Sequence, residues 1–267
     1  MTTGALIFAF NNSDIDYVSM AAWSAGNIRR HLGIGTTVVT DSKQAVTNSI
    51  FEHVILTDKE QGGTRHFSDI GNVVTWYNSN RVDAYNLTPY EQTLVLDADY
   101  VVSSNNLKSL FNSGQDFLCH RNAYNIANGE FLTDLNKFGA HGFPLWWATV
   151  MLFKKSNTAQ YIFDCMNMVK HNWQHYRDLY SIHRSNYRND FALSIALGIV
   201  NGHALCIDSI PWALATVLPE VELTKHDTDM YTLKYLNHDN QPKYQLHANS
   251  DFHAMGKKHL GDIIAAD

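Results

Sequence analysis

Apolar and polar positions along the chain are organised on two spacings. Short apolar runs, ALIFAF (5–10), TTVVTD (36–41), HVILTD (53–58) and TLVLDADYVV (93–102), are bounded by polar or turn residues, the pattern of strands buried on both faces. Between the first two runs, Val18, Ala21, Ala22, Ala25, Ile28 and Leu32 recur at helical spacing before Gly33. That spacing predicts an amphipathic helix closed by a left-handed glycine. Ser13 with Asp16 three residues on fits a capping box at its start. A second helix is predicted over about 76–87, ahead of Pro89. Strand and helix in this rhythm predict an α/β fold with a mostly parallel central sheet covered by helices on both faces.

Further along, a short helix is predicted around 107–111, a strand at DFLCH (116–120) and a loop-rich stretch up to about 143. WWATVMLFKK (146–155) reads as a buried strand, helices follow over about 157–176 and 190–200, and ALCID (204–208) reads as another strand. The C-terminal third reads as irregular and rich in histidine. No repeat, low-complexity tract or linker interrupts the chain, so residues 1–267 are expected to form one domain.

Composition narrows the picture. Of 267 residues, 45% are hydrophobic and 17% charged, enough for a sizeable core and unlike a disordered chain. The formal charge of -6 argues against a large basic surface for nucleic acid. Cys119, Cys165 and Cys206 sit apart in apolar runs and read as thiols of a reducing compartment. No run approaches the roughly 20 apolar residues of a membrane span, so a soluble cytoplasmic protein without a membrane partner is expected.

The chemistry is concentrated in TLVLDADYVV. Two carboxylates inside an apolar run are costly to bury unless a cation or hydrogen bonds compensate them. The D-x-D pattern also occurs at Asp14/Asp16 and Asp227/Asp229, but the first pair opens a helix, where acids suit the dipole, and the second lies in a polar stretch. Asp97 and Asp99 stand where a parallel strand ends, and open α/β sheets bind ligands beyond the carboxyl ends of their strands. Alternation along a strand would turn both carboxylates to one face, suited to one hard divalent cation. Near the C-terminus, HAMGKKH offers His253 as a further ligand, Gly256 for close backbone approach, and Lys257 or Lys258 to neutralise phosphate. A cation, a glycine and a lysine together suit a diphosphate.

Taken in order, these segments resemble the GT-A glycosyltransferases, most closely the glycogenin-like and galactosyltransferase group called family eight. The likeness runs over nearly the whole chain: FAFNNSDIDY as the polar loop that receives the nucleotide, YNSNRVDAY with Arg81 before the D-x-D strand, WWATVMLFKK, NDFALSIAL with its acid at a helix start, and HAMGK. The last element departs from the family spacing, since lysines follow the glycine by one and two residues and His259 stands at the third. The resemblance implies a nucleotide-binding half at 1–102 and an acceptor half with the C-terminal motif at 103–267. It implies transfer of a sugar from a nucleoside diphosphate sugar, UDP-linked, with Mn2+ or Mg2+ held by Asp97, Asp99 and His253. Phe10, Asn11, Tyr17 and Asp41 would frame base and ribose, and Ala98, Gly256 and the lysines would border the diphosphate, which Arg81 would reach. Asn189 and Asp190 would face the anomeric carbon or the acceptor hydroxyl, with retention of configuration. His141, Trp146 and Trp147 would offer the acceptor an aromatic platform, and the loops GGTRHFSD and ANGEFLTDLNKFGAHG would serve as lids.

The chain also resembles phage-encoded glycosyltransferases, some relatives of which modify hydroxymethylated DNA bases; a DNA acceptor would need NIRRH, FKK, HRSNYR and GKKH to gather on one face. The alternatives are a sugar-nucleotide binding protein without turnover and a haloacid dehalogenase-like phosphatase, whose D-x-D-x-V signature and terminal acids are mimicked by Asp97 and by GDIIAAD.

Overall fold

The computed structural model describes residues 1–67, 70–183, 186–203 and 207–267; Cys206 and most of the predicted ALCID strand lie outside them. Six strands form the central sheet in the order His53–Leu56, Gly35–Thr40, Thr3–Phe8, Gln92–Leu96, Trp147–Lys154, Phe117–His120. The first four are mutually parallel. Trp147–Lys154 runs against both of its neighbours. This is the predicted mostly parallel α/β sheet.

Period-two alternation explains how the sheet is covered. Ala5, Ile7, Leu94 and Leu96 pack on one face with Met20, Ala21, Ala25, Ile28 and Leu32 of the Tyr17–Leu32 helix. Leu6, Phe8, Val95 and Phe153 pack on the other with Ile162, Phe163 and Met166 of Asn157–His171 and with Phe191 of Asn189–Val200. Each buried Leu, Ile, Val, Phe or Met side chain among them contributes roughly 1.5–3 kcal/mol. Gly33 closes the first helix at φ 69° as expected. Its N-cap is Asp16 and not Ser13: the Asp16 carboxylate accepts the Ser19 N–H, whereas the Ser13 hydroxyl turns to Asp14.

Three other expectations need correcting. The helix predicted over 76–87 is a 3-10 turn, Ser79–Asp83, running into a single α-turn, Ala84–Leu87. Trp76 instead ends the strand Asn72–Trp76, which pairs with Gly63–Phe67 in a hairpin. Ser79, Asn80, Arg81 and Val82 are buried in succession, a demand that no one-sided helical stripe meets. The C-terminal third is regular: Glu222–Asp227, Met230–Leu236 and Pro242–Ala248 form an antiparallel meander, and Lys257–Ala266 is a helix. Only Leu223, Tyr231 and Leu233 of that meander are fully buried, so its apolar signal is thin. Lastly, TLVLDADYVV is two strands. Gln92–Leu96 belongs to the central sheet and Tyr100–Val101 to a second sheet of order Tyr100–Val101, Phe252–Ala254, Leu214–Val217, Ala123–Asn125.

Candidate active site

The two aspartates occupy the turn between those strands, where the chain leaves one sheet for the other. Tyr100 N–H donates to the Asp97 carbonyl at 3.0 Å, and Asp97 N–H donates to the Thr149 carbonyl at 3.0 Å. A turn, and not strand alternation, brings the carboxylates together. The site stands at the topological switch point: from the Thr3–Phe8 strand the sheet grows one way to Gly35–Thr40 and the other way to Gln92–Leu96, and such crevices are where open α/β sheets take ligands.

The second sheet supplies the distant residues. Phe252–Ala254 inserts between Tyr100–Val101 and Leu214–Val217, pairing His253 with Tyr100 and with Thr216, and Ala254 N–H donates to the Asp99 carbonyl at 3.0 Å. One oxygen from each of Asp97 and Asp99 and a ring nitrogen of His253 therefore lie within 4.8 Å of one another. Two carboxylates and an imidazole are a donor set that fits a hard divalent cation. His253 Nδ1 is buried with no hydrogen-bond partner among the described residues.

Each carboxylate also has a cation. Arg81, whose side chain is 2% exposed, pairs with Asp97 and donates from Nη1 to the Ala148 carbonyl at 2.6 Å. Lys257 pairs with Asp99 and donates to the Ala254 carbonyl at 3.1 Å. Burial pushes the Asp97 carboxyl upward, but Arg81, His253 and Lys257 outweigh it and hold it below the usual carboxylate range. Burial lowers His253, against the pull of Asp97 and Asp190. Asp97 is thus ionised and His253 favours its neutral form, the states that metal ligation needs.

Around this cluster opens a cleft of about 640 Å³, the scale of small-molecule sites. Of the residues singled out from sequence, Phe10, Tyr17, Arg81, Asp97, Ala98, Asp99, Trp147, Asn189, Asp190, His253 and Lys257 line it. The remainder sit elsewhere. Asn11 accepts the Val18 N–H and donates to Asp16, bracing the polar loop. Asp41 pairs with Lys59 at 3.2 Å. Gly256 is the buried cap of the last helix, and Lys258 is exposed, so burial separates the two lysines. Trp146 is core, with Arg121 over its ring; His141 is exposed and meets Phe143 edge-on.

Phe8, Trp76, Tyr77, Asn78, Arg188 and Met255, to which the sequence assigns no role of their own at the site, also line the cleft. Phe8 and Trp76 stand at strand ends, and Arg188 and Met255 are next to Asn189 and Gly256, the sequence signal that marks them. Thr64 and His66 reach the cleft from the first proposed lid, whose residues 68 and 69 lie outside those described. No residue of the second, 127–142, lines it; Gly139, at φ 68°, is packed so closely that a Cβ would meet the Tyr180 carbonyl at 2.0 Å. Asp262 and Asp267 border a separate cavity against the meander, away from Asp97 as a phosphatase's acids would not be.

No family model matches the chain, and no curated protein is similar to it at a significant level. Solved structures similar to it include the glycosyltransferase GlyE of Streptococcus pneumoniae TIGR4, at 13% identity over 79% of this chain and 46% of that one, TM-score 0.44. Mouse xyloside xylosyltransferase 1 is similar at 13% identity over 76% and 83%, TM-score 0.43. The galactosyltransferase LgtC with donor and acceptor sugar analogs is similar at 12% over 72% and 70%, TM-score 0.44. The chain thus spans less than half of the GlyE chain. At these TM-scores the likenesses assign no function, and the chemistry of the cleft has to.

Proposed function

We propose that the chain is a metal-dependent GT-A glycosyltransferase that moves a sugar from a nucleoside diphosphate sugar, UDP-linked, to an acceptor hydroxyl with retention of configuration. The observation that carries this reading is the Asp97–Asp99–His253 cluster at the sheet's switch point with its carboxylates already neutralised. Asp97, Asp99 and Asp190 are balanced by Arg81, Lys257 and Arg188, so the positive charge of a divalent ion is left over for a ligand. The two phosphate charges of a nucleoside diphosphate sugar match it.

Asp97, Asp99 and His253 would hold Mn2+ or Mg2+, which supplies charge stabilisation for the departing diphosphate. Lys257 adds a second positive group beside Asp99, able to follow charge as it builds on phosphate oxygen. Arg81 keeps Asp97 ionised and aimed. Phe10 and Tyr17 offer aromatic faces to the base, and Asn189 and Asp190 face the transfer point from the start of their helix. Trp147 is the part of the expected acceptor platform that borders the cleft. The basic runs that a DNA acceptor would need are partly engaged elsewhere, since Arg30 pairs with Asp229 and Lys154 with Asp116. A protein or glycan acceptor has the better support.

Ligands that bind only the folded state raise its melting temperature. A screen of nucleotide sugars should show UDP-sugars stabilising the protein with Mn2+ present and little without it, together with slow Mn2+-dependent release of UDP. Stabilisation by sugar nucleotides without any release would leave a binding protein. Mn2+-independent release of phosphate from phosphomonoesters would favour a phosphatase.

A further inference from the structure

Both oxygens of the Asp190 carboxylate already have donors, and Arg188 reaches the cleft from the same corner. Asp190 Oδ1 accepts the Ala148 N–H at 3.0 Å, and Oδ2 accepts Arg188 Nη2 at 2.8 Å. The helix start is fixed as well. The Ser194 hydroxyl donates to the Asp190 carbonyl at 2.6 Å and accepts the Trp146 N–H at 2.7 Å, joining helix Asn189–Val200 to the strand that follows Trp146. One donor on each oxygen fixes the carboxylate in place, and the charge-assisted bond to Arg188 ties its negative charge to that guanidinium.

Arg188 has capacity to spare. A guanidinium carries five N–H donors; Asp190 engages Nη2, and Nε is buried with no partner among the described residues. The side chain is 27% exposed, lines the cleft beside Asn186, and stands over the Phe191 ring at 5.7 Å. The Ala148 backbone links Arg188 and Asp190 to the aspartate pair: its N–H donates to Asp190 and its carbonyl accepts from Arg81, the partner of Asp97, which puts Arg188 and Asp190 at the metal end of the cleft. There the donor's sugar, not its base, would lie.

We propose, resting on the donor-sugar reading above, that Arg188 reads the transferred sugar and that Asp190 is its positioning residue. The chemistry recognised is a pair of neighbouring sugar oxygens, which the planar guanidinium edge meets with two parallel N–H groups and an ammonium does not.

Calorimetry with Mn2+ tests this, using UDP alone and UDP-glucose, UDP-galactose, UDP-xylose and UDP-glucuronate as probes. The readout is the ratio of UDP affinity to sugar-nucleotide affinity. Arg188→Ala is expected to move that ratio against the sugar nucleotides by about tenfold, as loss of a charged hydrogen bond does, and to leave UDP affinity within about twofold. Asp190→Asn should move it in the same direction, because its single amide oxygen cannot accept from both Arg188 and the Ala148 N–H as the carboxylate does. The double variant should add nothing further, and Arg188→Lys should not restore the ratio. An unchanged ratio in Arg188→Ala overturns the proposal. So does an Asp190→Asn protein that keeps the ratio but loses UDP release, since Asp190 would then act on substrate itself. Failure of the unaltered protein to bind UDP with Mn2+ sinks the donor reading, and the proposal with it; retained UDP binding confines any failure to Arg188.

Discussion

Asp97 and Asp99 are tolerable in a buried turn because each has a cation of its own, and that arrangement has measurable consequences. Removing one partner of a buried pair strands the other charge, typically at about 3–5 kcal/mol. Lys257→Ala should therefore lower the melting temperature by several degrees, and Mn2+ should recover more of that loss than it adds to the unaltered protein, because the ion replaces the missing positive charge beside Asp99. Thermal melts with and without Mn2+ check this; an equal Mn2+ increment in both proteins would contradict it. Away from the cleft, His120 is fully buried, its Nδ1 3.0 Å from the Trp212 carbonyl. Burial depresses its pKa to about 4 from an ordinary 6.5. A depressed imidazole stabilises the fold fully above the unfolded pKa and loses that contribution as pH falls toward the folded one. Denaturant unfolding between pH 7 and 4 should show a loss of up to about 3 kcal/mol that is absent from His120→Gln. A pH-independent difference between the two proteins would exclude this role.

At the scale of elements, the hairpin Gly63–Phe67/Asn72–Trp76 is the piece most open to test. Asn186 Nδ2 donates to the Thr64 carbonyl at 2.6 Å, Asn12 Nδ2 to the Thr75 carbonyl at 3.4 Å, and Asn72 Nδ2 to Asp14 at 3.1 Å. These tie the hairpin to both sides of the cleft. Asn186→Ala should speed amide exchange in Gly63–Phe67 and accelerate nucleotide dissociation about tenfold, with exchange in the central sheet unchanged; unaltered exchange in the hairpin would show that the tether does not hold it. The central sheet was legible in the sequence because its strands are apolar on both faces and its helices carry clear stripes. The hairpin was not, since Val73 is 65% exposed while Val74 is buried, and two residues of alternation are too few to separate a strand from a helix. The C-terminal meander hid for the same reason. Of the site, Asp97, Asp99 and Arg81 stood out by their place before and after a strand, whereas the choice of Lys257 over Lys258 depends on which face of the last helix is buried. Arg188 is visible in the sequence only as the end of the basic run HRSNYR, because its pairing with Asp190 spans two residues across a helix cap, with no periodicity to mark it.

For the whole molecule, the decisive feature is a long-range insertion: a strand near residue 253 is driven between strands near 100 and 216, and closes a ligand set that no local segment contains. The acidic total of -6 is offset within the cleft, where three acids meet three bases and a bound divalent ion would make the site net positive. Cation and diphosphate should thus bind as a unit, each raising the affinity of the other by the same factor, while no described helix is long and apolar enough to cross a membrane. The measurement that tests this most directly is a calorimetric titration of Mn2+ with and without UDP, on the unaltered protein and on Asp99→Asn. The account predicts one Mn2+ site tightened at least about tenfold by UDP, and loss of about two orders of magnitude in Mn2+ affinity in Asp99→Asn. Mn2+ affinity that is indifferent to UDP and to Asp99 would contradict it.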